Sequence, residues 1–209
     1  MADMFSKTKM VNVVTPVGGA LWAKVIEPDF KFDKDGRYEC TLILDPEDKD
    51  SAVAEATQKF IDSVDAMLEN AYKTASEEVA PAKAKSLSKQ SPIKEHLDKE
   101  GNETGLWAFK AKSKAKFRDE DITIPIYDVK AKLIEDPGLI GNGSKIKLQA
   151  GLKPYYMASS NTVGISVRLK RVQIIDLNPY SGDSGFADES DGTEYDSDSG
   201  FDSDNNSDF

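Results

Sequence analysis

The chain has 209 residues, of which 39% are hydrophobic and 31% charged, with a formal net charge of −10. This length supports one packed domain with extra segments. The lack of an apolar run of about 18 residues or a signal-peptide pattern leads us to expect a cytoplasmic protein without membrane contact. A single cysteine, Cys40, excludes an internal disulfide and agrees with a reducing compartment.

The charge is unevenly placed. Residues 181–209 hold ten acids and no base, the other 180 residues balance 27 acids with 27 bases, and 105–180 carries 13 bases against 7 acids. A neutral body with a basic half and an acidic tail points to nucleic acid or to an electrostatic self-contact.

In chain order, residues 1–18 read as irregular. "GALWAKVIE" (19–27) and "RYECTLIL" (37–44) read as strands around a turn-rich "PDFKFDKDG". Tyr38, Cys40, Leu42 and Leu44 share one face, which makes Cys40 a core residue and not a reactive thiol. Residues 46–79 predict a long helix capped by Asp45, with Pro46 in its first turn. Val53, Ala56, Phe60, Val64, Met67, Leu68 and Ala71 recur at helical spacing, a stripe suited to packing on a sheet.

The polar stretch 81–105 reads as a long loop. It holds His96, the only histidine, with no clustered Cys or His, so no metal is assigned. Strands are expected at 106–118, 122–133, 144–152 and 163–177. Several strands with one inserted helix give an α+β, mainly β, chain and suggest a small closed barrel. From 181 the chain has too few apolar residues to offset its ordering entropy and is expected to be disordered. The acidic tail repeats "DSGF" at 183–186 and 198–201 and ends on Phe209.

The most informative stretch is "WAFKAKSKAKFR" (107–118). On a strand, Trp107, Phe109, Ala111, Ser113, Ala115 and Phe117 share one face, and Lys110, Lys112, Lys114, Lys116 and Arg118 the other. Lys130 and Lys132 repeat the alternation, as do Lys145 and Lys147. Such lysines either keep a solvated strand soluble or meet a polyanion. At about 6.6 Å spacing they can follow an extended phosphodiester backbone. "LKPYY" adds Lys153, Tyr155 and Tyr156 in a loop between strands, and each tyrosine suits either packing or base stacking. Arg168 and Lys170 extend the basic side. Trp22 and Trp107 offer further rings, although their alternation favours the core.

The order of these elements, with "IEDPGLIGNGSKIKL" followed by "KPY" and an acidic tail ending in Phe, resembles the single-stranded-DNA-binding proteins of tailed bacteriophages that build a phage-encoded replisome. The likeness covers most of the chain and is densest at 122–177 and in the tail. It implies an OB-fold five-stranded barrel carrying the long helix over residues 1–180, a partner-binding tail over 181–209, and a role in replication and recombination in the host-cell cytoplasm. Lys110 and Tyr155 fall where the family has a DNA-contacting lysine and tyrosine. Phe209 falls on the terminal aromatic that docks on the replicative DNA polymerase and helicase–primase. Phe201, Asp202, Asp204 and Asp208 accompany it. Met157 stands where an aromatic is expected, and Tyr156 is the candidate substitute. The family member also forms a homodimer, for which the sequence displays no seam.

The tail, tethered to a basic groove, would compete with phosphates for it. An acidic adaptor or chaperone for basic proteins would explain the tail but not the lysines. A nucleic-acid enzyme would need a P-loop, metal cluster or triad, none of which is recognisable, and Asp119, Glu120 and Asp121 sit in a tight turn. No catalytic residue, metal or cofactor is therefore assigned.

Overall fold

The computed structural model describes residues 4–179 apart from 32 and 119, so Phe201, Asp202, Asp204, Asp208 and Phe209 lie outside the described residues. Within them the chain is mainly β, with two helices.

Strand β1 is Val11–Val14, β2 is Gly18–Asp29 and β3 is Arg37–Leu44. Tyr38, Cys40, Leu42 and Leu44 of β3 are all buried, as their alternation predicts. In β2 the alternation fails at Trp22. Its backbone takes a left-handed φ of 51°, the register with β3 shifts between Leu21 and Lys24, and the indole is 66% exposed. An inserted residue turns outward the ring that regular pleating would bury. The Trp22 backbone N–H donates to Asn142 Oδ1 at 2.8 Å.

Helix α1 spans Ser51–Glu78 and begins later than expected. Asp45 and Asp48 each bond the backbone N–H two residues on, at 2.8 and 2.9 Å. Those turns compete with helix, and Asp50 is the cap, accepting from the Ala52 N–H at 2.9 Å. Phe60, Val64, Leu68 and Ala71 are buried, joined by Thr57 and Ile61, whereas Ala56 is exposed. The stripe packs on the long strands, and Phe60 meets Phe109 edge-on with centroids 5.2 Å apart. Deleting a ring so placed costs about 3–5 kcal/mol.

The expected loop 81–105 carries structure. Pro81–Ala84 forms α2, Ser88–Gln90 forms β4, and Ile93–Leu97 forms β5. These strands lie at the border of the sheet, with Leu87 and Ile93 as buried anchors. The remaining polar side chains conceal them in the sequence. Strand β6 is Glu103–Lys114, and β7 (Lys116–Phe117) and β8 (Glu120–Asp121) form a small hairpin.

The strand expected at 122–133 is also corrected. Only Ile126–Tyr127 (β9) pairs with the sheet, and Ala131 adopts a φ of 58°. Asp128 Oδ1 accepts from the Lys130 and Lys132 N–H groups at 2.8 Å each, folding the segment into a turn. Two long strands complete the sheet, β10 (Lys145–Met157) and β11 (Thr162–Asp176), and β10 runs past the expected end at 152, so Lys153, Tyr155 and Tyr156 lie on a paired strand and not in a loop.

Strand β2 pairs with β3, β3 with β6, β6 in parallel with β11, and β11 antiparallel with β10. Strand β10 returns to β2 at Lys145–Gly19 and Ile146–Gly18, and β1 continues along that same edge at 149–152, opposite β11. The core lies on the inner face of these strands, with Phe109, Leu42, Ile146, Leu148, Leu152 and Leu169 fully buried. Among the described residues no helix is long and apolar enough to cross a membrane.

Candidate nucleic-acid interface

The opposite face of the sheet collects the basic side chains. Gly151, Arg168, Lys112, Glu39 and Lys24 are successive register partners across β10, β11, β6, β3 and β2. At about 4.8 Å per strand, the cations from Arg168 to Lys24 span roughly 14 Å at right angles to the strands. The cationic ladder thus runs across the sheet as well as along β6.

Glu39, only 14% exposed, is the anion within it. Its carboxylate stands 3.0 Å from Lys110 Nζ, 3.4 Å from Arg37 Nε and 4.0 Å from Lys112 Nζ. Three cations share one carboxylate, so the cluster keeps a positive excess. Partial burial first, and then Lys110 and Arg37, push the Lys112 ammonium below its ordinary pKa, with Glu39 opposing the shift. A group so crowded gains from any further anion.

Three neighbouring clefts, which share lining residues, lie around these side chains. The first, of about 470 Å³, is lined by Arg37, Lys112, Lys114, Lys116, Phe117 and Arg168 among others. Through Ser113, Ile122 and Arg168 it meets a second of about 700 Å³, which Lys170 and Arg171 line. Gln149 and Arg171 connect that to a third of about 370 Å³ beside Lys147 and Tyr127.

Tyr155 shares this face. Its register partner is Gly164, and a Cβ there would stand 2.5 Å from the tyrosine oxygen and 2.8 Å from Cε1. The ring therefore lies against bare backbone, and its hydroxyl donates to Gln90 Oε1 at 2.8 Å. Anchored at both ends, it is a fixed platform. Lys153, two residues back, donates to the Ser6 carbonyl at 3.3 Å.

Other candidates are not brought to this groove. Tyr156 points the other way, packing against the core and donating to Asn161 Oδ1 at 2.9 Å. Arg118 sits in the β7–β8 turn at φ 58°, over the Phe117 ring. Lys130 and Lys132 belong to the Asp128 turn, and Lys145 is exposed where β10 meets β2.

Sequence reasoning also missed members. Arg171 faces outward because a register shift between Gln149 and Ala150 leaves Lys170 without a partner, so Lys170 and Arg171 both reach solvent. Two adjacent cations in "RLKR" were the signal, since regular pleating would bury one. Arg171 lies 6.0 Å from the Tyr127 ring, and Lys170 donates to Asn12 Oδ1 at 2.6 Å. Phe117, expected in the core, lines the first cleft instead.

Fold and face together define a mainly β protein with neighbouring cation-bearing clefts and a ring fixed beside them. Residues 18–177 match the family model described as single-stranded DNA-binding protein, bacteriophage T7, and the chain belongs to that family. The single-stranded DNA-binding protein of Escherichia phage T7 is 30% identical over 142 residues, covering 63% of this chain and 61% of the relative. Its counterpart in Enterobacteria phage T3 is 27% identical over 134 residues, covering 60% and 58%. The match thus spans about three-fifths of these curated relatives. The crystal structure of gp2.5, a single-stranded DNA-binding protein encoded by bacteriophage T7, superposes with a TM-score of 0.65 at 25% identity, covering 92% of this chain and 98% of that one. The single-stranded DNA-binding protein of bacteriophage Enc34 in complex with ssDNA shares the fold, with a TM-score of 0.51 at 16% identity over 82% of this chain and 89% of that one.

Proposed function

We propose that the chain is a non-enzymatic, sequence-independent single-stranded-DNA-binding protein of phage replication, acting in the host cytoplasm. The observation that carries this reading is the row Arg168–Lys112–Glu39–Lys24 across the sheet, with Tyr155 fixed beside it. Phosphate contacts supply affinity without reading sequence. A ring platform demands a base free of its duplex partner. The family membership and the relatives' names support the same reading.

Finer features belong to the proposal. Because β10 pairs with both β2 and β11, the strands β2, β3, β6, β11 and β10 form a cycle, which supports an OB-fold five-stranded barrel. Residues 1–180 would be the DNA-binding domain and 181–209 a polyanion that competes for the groove and, through Phe209, engages the replicative DNA polymerase and helicase–primase. Homodimerisation is part of the same resemblance. Lys110, Lys112, Lys114, Lys116, Lys147, Lys153, Arg168 and Lys170 are the phosphate contacts we assign.

Anisotropy of labelled oligo(dT) across a salt series tests the reading. Wild type should bind oligo(dT) over duplex. Replacing Lys112 and Arg168 with Ala should weaken binding and flatten the salt slope by about 0.7 for each phosphate that is no longer neutralised. Deleting 181–209 should raise affinity, most at low salt. Absence of oligo(dT) binding by the full chain would refute the function, and an unchanged slope in the double variant would refute the site.

A further inference from the structure

On a continuous strand Phe117 would face the core, yet its ring is 54% exposed. The cause is a bend at Ala115, which is itself buried. The Ala115 N–H donates to the Gly36 carbonyl at 2.9 Å, and its carbonyl accepts from Ile122 at 2.7 Å. This pins the base of the β7–β8 hairpin and releases Phe117 from the inward register. The ring then lines the 470 Å³ cleft, where Ile122 is its apolar neighbour among Lys112, Lys114, Lys116 and Arg168. That volume falls in the range of about 300–1,000 Å³ that admits small ligands.

An exposed ring among cations attracts planar groups, and the Arg118 guanidinium already stands 5.4 Å from its centroid. The cleft therefore combines an apolar face with a concentration of positive charge. A nucleobase attached to its phosphates presents both complements in one molecule.

We propose that Phe117 is a base-stacking platform for an unpaired nucleobase of single-stranded DNA, the flanking phosphates being held by Lys112, Lys114 and Arg168. This rests on the DNA-binding reading above and adds a second ring to it. Strands β6 and β11 run parallel with Lys112 beside Arg168. Travelling from Gly164 to Arg168 on one therefore continues toward Lys114 and Phe117 on the other. Tyr155 and Phe117 thus flank the Arg168–Lys112 pair from opposite directions along the strands. A duplex keeps its bases stacked on one another and can use neither ring, so the preference for single strands is set on both sides of that pair.

The test uses the full chain with Phe117→Ala and Phe117→Trp, measured against oligo(dT) and duplex DNA across a salt series. Removing the ring should weaken oligo(dT) binding about five- to a hundredfold. Duplex binding and the salt slope should stay as in wild type, because the charge is unchanged. Phe117→Trp should restore the affinity. Urea melts of both variants establish that they fold. Wild-type oligo(dT) affinity in a folded Phe117→Ala overturns the platform while leaving the DNA-binding reading intact. An equal loss for duplex and single strand overturns it too. Failure of the wild type to bind oligo(dT) overturns both.

Discussion

The ring of Tyr155 covers Gly164, its partner across the β10–β11 pair, and reaches over it to Gln90 on β4. The glycine is required by contact, since any side chain there occupies the place of the ring. Gly164→Ala should therefore drive Tyr155 off the sheet and break its bond to Gln90. Overpacking of this kind costs about 1–3 kcal/mol. A urea melt should show that loss, and oligo(dT) affinity should fall with an unchanged salt slope. A variant as stable as wild type would show that the ring does not rest there.

Lys112 links the groove to pH. Its folded pKa lies below the ordinary lysine value of 10.5. As pH rises through that lowered value, the folded state releases its proton before the unfolded state does, so this group adds stability with rising pH. Below that window its charge opposes folding. A bound phosphate favours the charged form, so DNA binding in the same window should take up a proton. Titration calorimetry in buffers of different ionisation enthalpy should detect the uptake in wild type and its loss in Lys112→Arg. Equal uptake in both proteins would place the proton elsewhere.

Cys40 is fully buried, and burial foremost pushes its thiol up to about 12, with Glu39 adding to the shift. Its Sγ lies 3.6 Å from the Thr41 carbonyl. At pH 8 it should be inert to Ellman's reagent in the native protein and should release one equivalent of thiolate product in denaturant. Rapid native labelling would contradict the burial of β3.

Asp50, and not Asp45, holds the N-terminus of α1. Asp50→Ala should lower stability by about 1 kcal/mol, within the usual range of roughly 0.5–2. Asp45→Ala should lower it by less, because its side chain closes only a local turn. Thermal melts of the two variants would decide the order.

Where one face of an element is apolar and regular, the sequence is a good guide. The inward residues of β3, the stripe Phe60–Val64–Leu68–Ala71 and the Lys110–Lys112–Lys114 side of β6 all lie where their spacing predicts. The failures have common causes. Trp22 and Arg171 sit at register shifts, which invert pleating from that point on. Phe117 follows a bend fixed by a local bond from Ile122 and by one to Gly36, 79 residues away in sequence. Residues 88–97 are strands stabilised by neighbours more than by their own polar composition. At 122–133, lysine alternation imitates a strand, but Asp128 gathers the backbone N–H groups of Lys130 and Lys132 into a turn. The cross-sheet row could not be read at all, because it depends on which strands become neighbours.

The parallel pairing of β6 with β11 places Lys112 next to Arg168, and Lys170 bonds to Asn12 from the other end of the chain. These junctions close late, because the loops between their partners must be ordered first. During synthesis, a polypeptide that has emerged only as far as β6 carries its lysines but has no arginine wall to face them. The complete cation row arises only once β11 has left the ribosome, so it is a property of the finished fold and of no shorter chain.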